Sequence, residues 1–158
     1  MAAIVALLGR FRSDSGAELV EFALVFPLLL LVVLGIVDFG FLFQEYEVVT
    51  NAAREGARIA ILPEYQNPAT VTANVTTRVN QYLDAAGLDR ALATVSVSPP
   101  TLVSIGTSCV TTYAITVTYP HAFSFVTGIV GYFGGTFGSS TLTATSTMRA
   151  EGIAGSCS

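Results

Sequence analysis

The stretch FALVFPLLLLVVLGIV, residues 22–37, decides the fold, because sixteen residues pass without a polar side chain. Asp38 interrupts this run, and FGFLF at residues 39–43 continues it. As a helix rising about 1.5 Å per residue, residues 22–43 would extend roughly 33 Å, enough for a hydrocarbon core of about 30 Å. A buried helix of a soluble protein is usually shorter or carries a polar face. We therefore predict a membrane-spanning helix.

The flanks of this run predict that it is retained and how it is oriented. A cleaved secretory signal has a shorter apolar region that ends in a small-residue cleavage site, and no such site follows here. Arg10 and Arg12 precede the run, whereas Glu45 and Glu47 follow it before any arginine. By the positive-inside rule, the N-terminus stays cytoplasmic and residues after about 44 are exported.

The composition narrows the class of protein. Only 11% of the 158 residues are charged, so much of the surface is expected to face lipid or other subunits. The net charge is -4 without any lysine, which argues against a nucleic-acid partner. The one histidine, His121, lacks the neighbours of a catalytic triad or a zinc site, and the glycines of residues 131–138 lack a phosphate-binding setting. We predict no enzyme activity, cofactor or metal.

Three ionisable groups and one proline stand out near the span. Glu18 and Glu21 lie at its cytoplasmic edge, and Asp38 lies inside its far end, where charges are costly and usually have a partner. Asp38 is either solvated at the exported face or paired with an arginine of another subunit. Pro27 removes one backbone hydrogen bond and marks a kink or melting point.

The residues Gly16-Ala17-Glu18-Leu19-Val20-Glu21-Phe22, ahead of the apolar run, resemble the processing signature of type IV-like prepilins. Three further motifs resemble TadE-like pseudopilins of the tight-adherence (Tad) pilus system. They are Val37-Asp38-Phe39-Gly40, the segment from Thr50 to Arg58 with the sequence TNAAREGAR, and the late TMRAE at residues 147–151.

This resemblance implies a function and a set of partners. Residues 1–16 would be a cytoplasmic leader, cut between Gly16 and Ala17 by a prepilin peptidase, which makes Glu21 the fifth mature residue. The chain would be a minor pilin-like subunit in the bacterial inner membrane that assists initiation or assembly of an adhesive Tad pilus. Its partners would be other pilins or pseudopilins, the pilus assembly platform and the lipid bilayer.

The pairing of charges at the new terminus has a physical reason of its own. Cleavage would create a cationic amine on Ala17 close to the lipid boundary. Glu21, about one helical turn away, would neutralise this amine within one chain or across to a neighbour. Glu18 falls on a different helical face and is less suited to this role.

The helix is predicted to continue beyond the span, so that one N-terminal helix covers residues 17–62 before Pro63 ends it. Tyr46, Val49, Ala53 and Ala57 recur at helical spacing. The NAAREGAR segment is expected to pack this helix either onto its own domain or onto another subunit. Its residues are Asn51, Ala52, Ala53, Arg54, Glu55, Gly56, Ala57 and Arg58.

Residues 63–158 are predicted to form an exported α+β domain. A helix should start at Asn67-Pro68 and stop at Gly87. Strands are expected at residues 94–98, 110–119 and 141–148. They should form an antiparallel sheet of three or four strands that packs on the long helix. The apolar, glycine-rich residues 121–138 either cover the core as a loop with a short helix or expose a surface for a partner or the membrane. Cys109 and Cys157 are a candidate disulfide.

Two functions remain open from the sequence. The first is a structural assembly subunit of a pilus. The alternative is an exported, membrane-anchored binding module or an adhesive protein at a pilus tip.

Overall fold

The computed structural model describes residues 14–106, 108–132, 134–136 and 138–155, and it has the predicted α+β class. The helices are α1 (Asp14–Ala60), α2 (Val71–Ala85) and α3 (Phe125–Tyr132), with 3-10 turns at Pro63–Tyr65 and Arg90–Leu92. The strands are β1 (Thr94–Val97), β2 (Thr101–Ile105), β3 (Ser108–Ala122) and β4 (Ser139–Gly155).

The described residues fall into two compact units, and both contain part of α1. The anchor unit contains residues 14–40 and 123–136, and the sheet unit contains residues 41–122 and 138–155. The sequence placed a domain boundary between residues 62 and 63. In the structure the second half of α1 belongs to the same unit as the sheet, whereas α3 belongs to the anchor unit.

In the anchor unit, α1 is an apolar rod that continues through Pro27. It is the one helix of the described residues that is long and apolar enough to cross a membrane, and none of its most apolar 18-residue stretch is buried. Large apolar side chains are exposed over most of its surface, among them Leu19, Phe22, Leu24, Leu28, Val32 and Ile36. A surface of this kind is suited to lipid or to other apolar helices.

In the sheet unit, β3 is the central strand of an antiparallel sheet. β4 pairs along almost the whole of β3, whereas β1 pairs with residues 115–118 and β2 with residues 108–112 of the same strand. β1 and β2 therefore lie end to end along one edge. Pro99 and Pro100 separate them because proline has no N–H for the ladder. The sequence analysis missed β2 because it took the two prolines as the end of the sheet edge.

The core of the sheet unit forms where α1, α2 and β3 meet. The small face of α1 and the valine face of α2 pack against the inward side chains of β3, as the helical and alternating patterns predict. Tyr46 was predicted on this face of α1, but 46% of it is exposed. The fully buried residues include Val49, Ala52, Ala57, Ala60, Val75, Val79, Leu83, Ile115 and Val117.

The start of α2 was predicted wrongly and its end correctly. The helix begins at Val71 rather than at Asn67-Pro68, because the Asn67 side chain accepts a hydrogen bond from the Ala69 N–H at 3.0 Å and forms a turn ahead of the helix. At the other end Gly87 has φ +80°, and the Leu88 N–H donates to the Leu83 carbonyl at 2.9 Å. This is the Schellman geometry that glycine adopts without steric cost.

Candidate functional site

The predicted processing segment lies in the first turns of α1. Gly16 and Ala17 are helical, and both Glu18 and Glu21 are exposed on the helix surface. Residues 1–13 of the predicted leader lie outside the described residues.

Asp38 is the most constrained polar group of the anchor unit. Its carboxylate is 2% exposed and accepts hydrogen bonds from the first backbone N–H groups of α3. Oδ1 accepts from Ser124 at 3.3 Å, and Oδ2 accepts from Phe125 at 3.0 Å and from Val126 at 2.7 Å. Neither expectation for Asp38, solvation at the membrane edge or pairing with an arginine of another subunit, describes this geometry. The carboxylate caps a helix of its own chain.

Apolar contacts surround this cap, which we call the Asp38 clamp. A Cβ on Gly35 would lie 3.9 Å from Val126 Cγ2, an ordinary van der Waals distance, so the first turn of α3 packs beside this turn of α1. The rings of Phe39 and Phe123 meet edge to face with centroids 5.7 Å apart. Residues 123–132 are thus fixed on α1 by one buried carboxylate and by contacts on both sides of it.

The sequence carried part of the signal for this clamp. An acid inside an apolar run usually has a partner, and the sequence analysis considered solvent at the exported face or an arginine of another subunit. Three consecutive N–H groups at a helix start also satisfy a carboxylate. A sequence search for helix starts in the exported half, and not only for arginines, would have included Ser124 as a candidate.

The NAAREGAR segment lies in the sheet unit and packs on that unit, in agreement with the first of the two predicted alternatives. Ala52, Ala53 and Ala57 are at most 1% exposed, while Arg54 and Arg58 face outward. Glu55 is the polar link of the segment. Its carboxylate lies 3.6 Å from Arg58 one turn on, as the i,i+3 spacing predicts, and accepts from Arg78 of α2 at 2.7 Å.

Gly56 is the position of closest approach in this packing. A Cβ there would lie 2.8 Å from Val79 Cγ2 and 3.3 Å from both Ile115 Cγ2 and Val75 Cγ1. We expect Gly56→Ala to lower the free energy of unfolding of the sheet unit by about 1–2 kcal/mol, since overpacking a stiff β-branched contact outweighs the helix propensity that alanine adds. Urea unfolding of the full chain in detergent measures this change.

Two variants make the Gly56 experiment specific. Gly40→Ala is the control, because a Cβ at Gly40 meets nothing within 4 Å, and it should leave stability unchanged or raise it. Combining Gly56→Ala with Val79→Ala should cost less than the sum of the two single changes, because the smaller residue 79 leaves room for the new methyl group. Full additivity would contradict the proposed contact.

A second buried polar pair joins α1 to β3 within the sheet unit. His121 Nδ1 and Glu45 Oε2 are 2.8 Å apart, and the histidine side chain is 4% exposed. Burial raises the pKa of the neighbouring Tyr119 hydroxyl above its usual value, an effect that Glu45 reinforces and a hydrogen bond with the Asp89 backbone opposes. Tyr119 therefore stays neutral at physiological pH. The pair ties a helix to a strand and has the character of a structural contact.

Cys109 is buried at the start of β3, and the strand register places it opposite Gly155 of β4. Its predicted partner, Cys157, lies outside the described residues, so the disulfide stays a prediction. We expect the chain from an oxidising compartment to resist thiol alkylation until it is reduced, and to gain the mass of two hydrogens on reduction. A Cys109→Ser variant should show alkylation of the remaining thiol without reductant. Alkylation of both thiols in the unreduced protein would contradict the bridge.

Among the described residues, no group of three or more histidine, cysteine, aspartate or glutamate side chains is placed to hold a metal ion. The described residues show three features: an exposed apolar rod, a buried acid that holds a short helix, and a small-residue helix face that packs on a sheet.

These features define the class of protein as a small α+β unit on a long apolar helix. The family model described as TadE-like protein matches residues 16–58. The match confirms the resemblance drawn from the N-terminal motifs. It covers the processing segment, the apolar run, Asp38 and NAAREGAR, and it ends before α2. No curated protein and no solved structure matches the chain.

Proposed function

We propose that this chain is a minor pilin-like subunit that assists initiation or assembly of a Tad-type adhesive pilus. The observation that carries the proposal is the family match over residues 16–58, which includes the whole apolar part of α1. From Leu19 to Phe43 that surface is almost wholly apolar and exposed. A helix with such a surface is stable in a bilayer. Outside the bilayer it can bury the same surface against other apolar helices.

The processing step follows from the N-terminal residues. A prepilin peptidase would cut between Gly16 and Ala17, remove the arginine-containing leader and leave a cationic terminus beside Glu21. The amine and the carboxylate are each costly at the lipid boundary and tolerable as a pair, so correct docking of one subunit on another is favoured over a misaligned one. The terminus would face the cytoplasm and the sheet unit would be exported.

Sequencing the N-terminus of the membrane form tests the processing. A terminus at Ala17 in cells that contain the peptidase supports it, and an intact Met1 terminus in the same cells contradicts it. A Gly16→Ala variant is a suitable comparison, because it keeps the helix and changes the residue at the cut. It should accumulate as the uncut chain.

An adhesive or ligand-binding role is the second candidate, and the edge strand β2 favours it. Leu102, Val103 and Ile105 are 62%, 44% and 58% exposed, which leaves apolar side chains on an outer strand of the sheet. Such an edge is suited to pairing with an extended segment of another chain.

Deleting the gene separates the two candidates. Loss of the subunit from an assembly role abolishes or sharply reduces fibres, whereas loss of a tip adhesin leaves fibres in normal number and removes attachment to surfaces. Electron microscopy counts the fibres and an attachment assay measures adhesion in the same cultures. Re-expression of the wild-type chain should restore whichever property was lost.

A further inference from the structure

Residues 123–136 form a short apolar helix with its connecting turn, packed on the part of α1 that is predicted to span the membrane. α3 has the sequence FVTGIVGY and extends roughly 12 Å at the usual helical rise. Residues 122–148 contain no charged side chain. We propose that this segment lies in the bilayer itself, beside the C-terminal part of the span. The inference rests on the proposed anchoring of α1 in a membrane.

The first argument comes from where α3 lies along α1. Asp38 accepts from the first N–H groups of α3, and a Cβ on Gly35 would lie 3.9 Å from Val126 Cγ2, so the first turn of α3 lies beside residues 35–38 of α1. Leu31 and Leu34 are correspondingly less exposed than Leu24, Leu28 and Leu29, which face outward at 56–76%. Within the anchor unit, the described residues outside α1 that can cover Leu31 and Leu34 belong to the segment 123–136. α3 therefore runs back along the apolar rod.

The second argument comes from the ends of α3. Water can satisfy the terminal N–H and C=O groups of a helix, whereas in lipid each group left unsatisfied by the protein costs several kcal/mol. Here the first N–H groups donate to the buried Asp38 carboxylate. At the other end Gly134 has φ +77° and donates to the Gly131 carbonyl at 3.0 Å, and the Gly135 N–H donates to the Val130 carbonyl at 2.9 Å. Groups at both ends are satisfied within the chain, as a low-dielectric surrounding demands.

The third argument comes from the outward face. Phe125 is 43% exposed and Tyr132 is 88% exposed, on a unit whose other surface is the apolar rod. Exposed rings of this size are unfavourable in water and favourable against acyl chains, and they extend the apolar surface of α1. Lipid thus covers a face that is continuous with the one it covers on α1.

Tryptophan fluorescence gives a direct test, because the chain contains no tryptophan. Single variants of the full chain are reconstituted at high dilution in vesicles of phosphatidylcholine and phosphatidylglycerol. Tyr132→Trp reports on α3, Phe26→Trp reports on the span, and Leu102→Trp reports on an exposed residue of the sheet unit. Each is quenched separately by brominated lipids and by aqueous iodide.

The proposal expects the Tyr132→Trp emission to be quenched by brominated lipids and protected from iodide. Phe26→Trp should behave in the same way, and Leu102→Trp in the opposite way. If Phe26→Trp is quenched by lipid while Tyr132→Trp is quenched by iodide alone, the inference is overturned and the anchor stands, and a protein partner for α3 becomes the better account. If Phe26→Trp is also untouched by brominated lipid, the anchoring in the proposed function fails with it.

Discussion

Replacing Asp38 with alanine is expected to release α3 from α1 while the sheet unit stays folded. The substitution removes the acceptor for the N–H groups of Ser124, Phe125 and Val126 and leaves those donors in an apolar surrounding. Hydrogen bonds to a charged group contribute about 1.5–3 kcal/mol each, and their loss is not additive. A total near 3 kcal/mol would raise the population of the open segment about 100-fold.

Hydrogen exchange of the full chain in nanodiscs measures this opening. The peptide that covers residues 123–132 should exchange faster in Asp38→Ala, whereas the peptide of α2, residues 71–85, should be unchanged. Asp38→Asn keeps one acceptor oxygen without the charge and should give an intermediate rate. Glu47→Ala removes an exposed acid on the same helix and should have no effect. Equal exchange of residues 123–132 in the wild type and in Asp38→Ala would show that the carboxylate does not hold α3.

The sequence predicted the parts of this protein that follow from local periodicity. Three features show a spacing that can be counted along the chain. They are the apolar run, the small face of α1 and the valine face of α2. Gly87 was recognised as the end of α2 because glycine is the residue that most readily adopts the left-handed conformation after the last turn of a helix. The family resemblance came from the same N-terminal region, since its motifs stand close together.

The features that escaped prediction depend on residues far apart in the chain. Asp38 and Phe125 are 87 positions apart, and nothing local indicates that an acid in an apolar run caps a helix so distant. β2 is exposed along its whole length, so its sequence lacks the alternation of buried and exposed residues by which a strand is recognised. The start of α2 was missed because Asn67 and Pro68 favour a turn as well as a helix start.

The two halves of α1 show how one helix serves two environments. In the anchor unit its large side chains face outward, where burial against lipid or other helices provides the favourable free energy. In the sheet unit alanine and glycine face inward, because the approach of valines and isoleucine to the backbone at Gly56 requires small residues. Any substitution along α1 is therefore expected to affect anchoring or folding according to the half in which it falls.

Replacing Glu21 with alanine is expected to leave membrane insertion and folding intact and to abolish or strongly reduce fibres. Glu21 is exposed on an apolar part of α1, so the isolated chain loses no buried contact with it. In an assembly the carboxylate would face the Ala17 ammonium of the same or a neighbouring chain. Its removal would leave that charge unpaired in a low-dielectric surrounding, where breaking a buried pair costs about 3–5 kcal/mol. Fibre counts by electron microscopy and membrane fractionation of the same cells measure the two properties.

Glu18→Ala is the matched control, because it removes the same charge three residues earlier on a different helical face. Fibres should persist in Glu18→Ala and be lost in Glu21→Ala, with equal amounts of both chains in the membrane and equal cleavage at Gly16. A uniform loss of fibres in both variants would point to a general need for negative charge at the membrane edge. Normal fibres in Glu21→Ala would remove the docking role, since an assembly that tolerates an unpaired Ala17 ammonium does not depend on that pair.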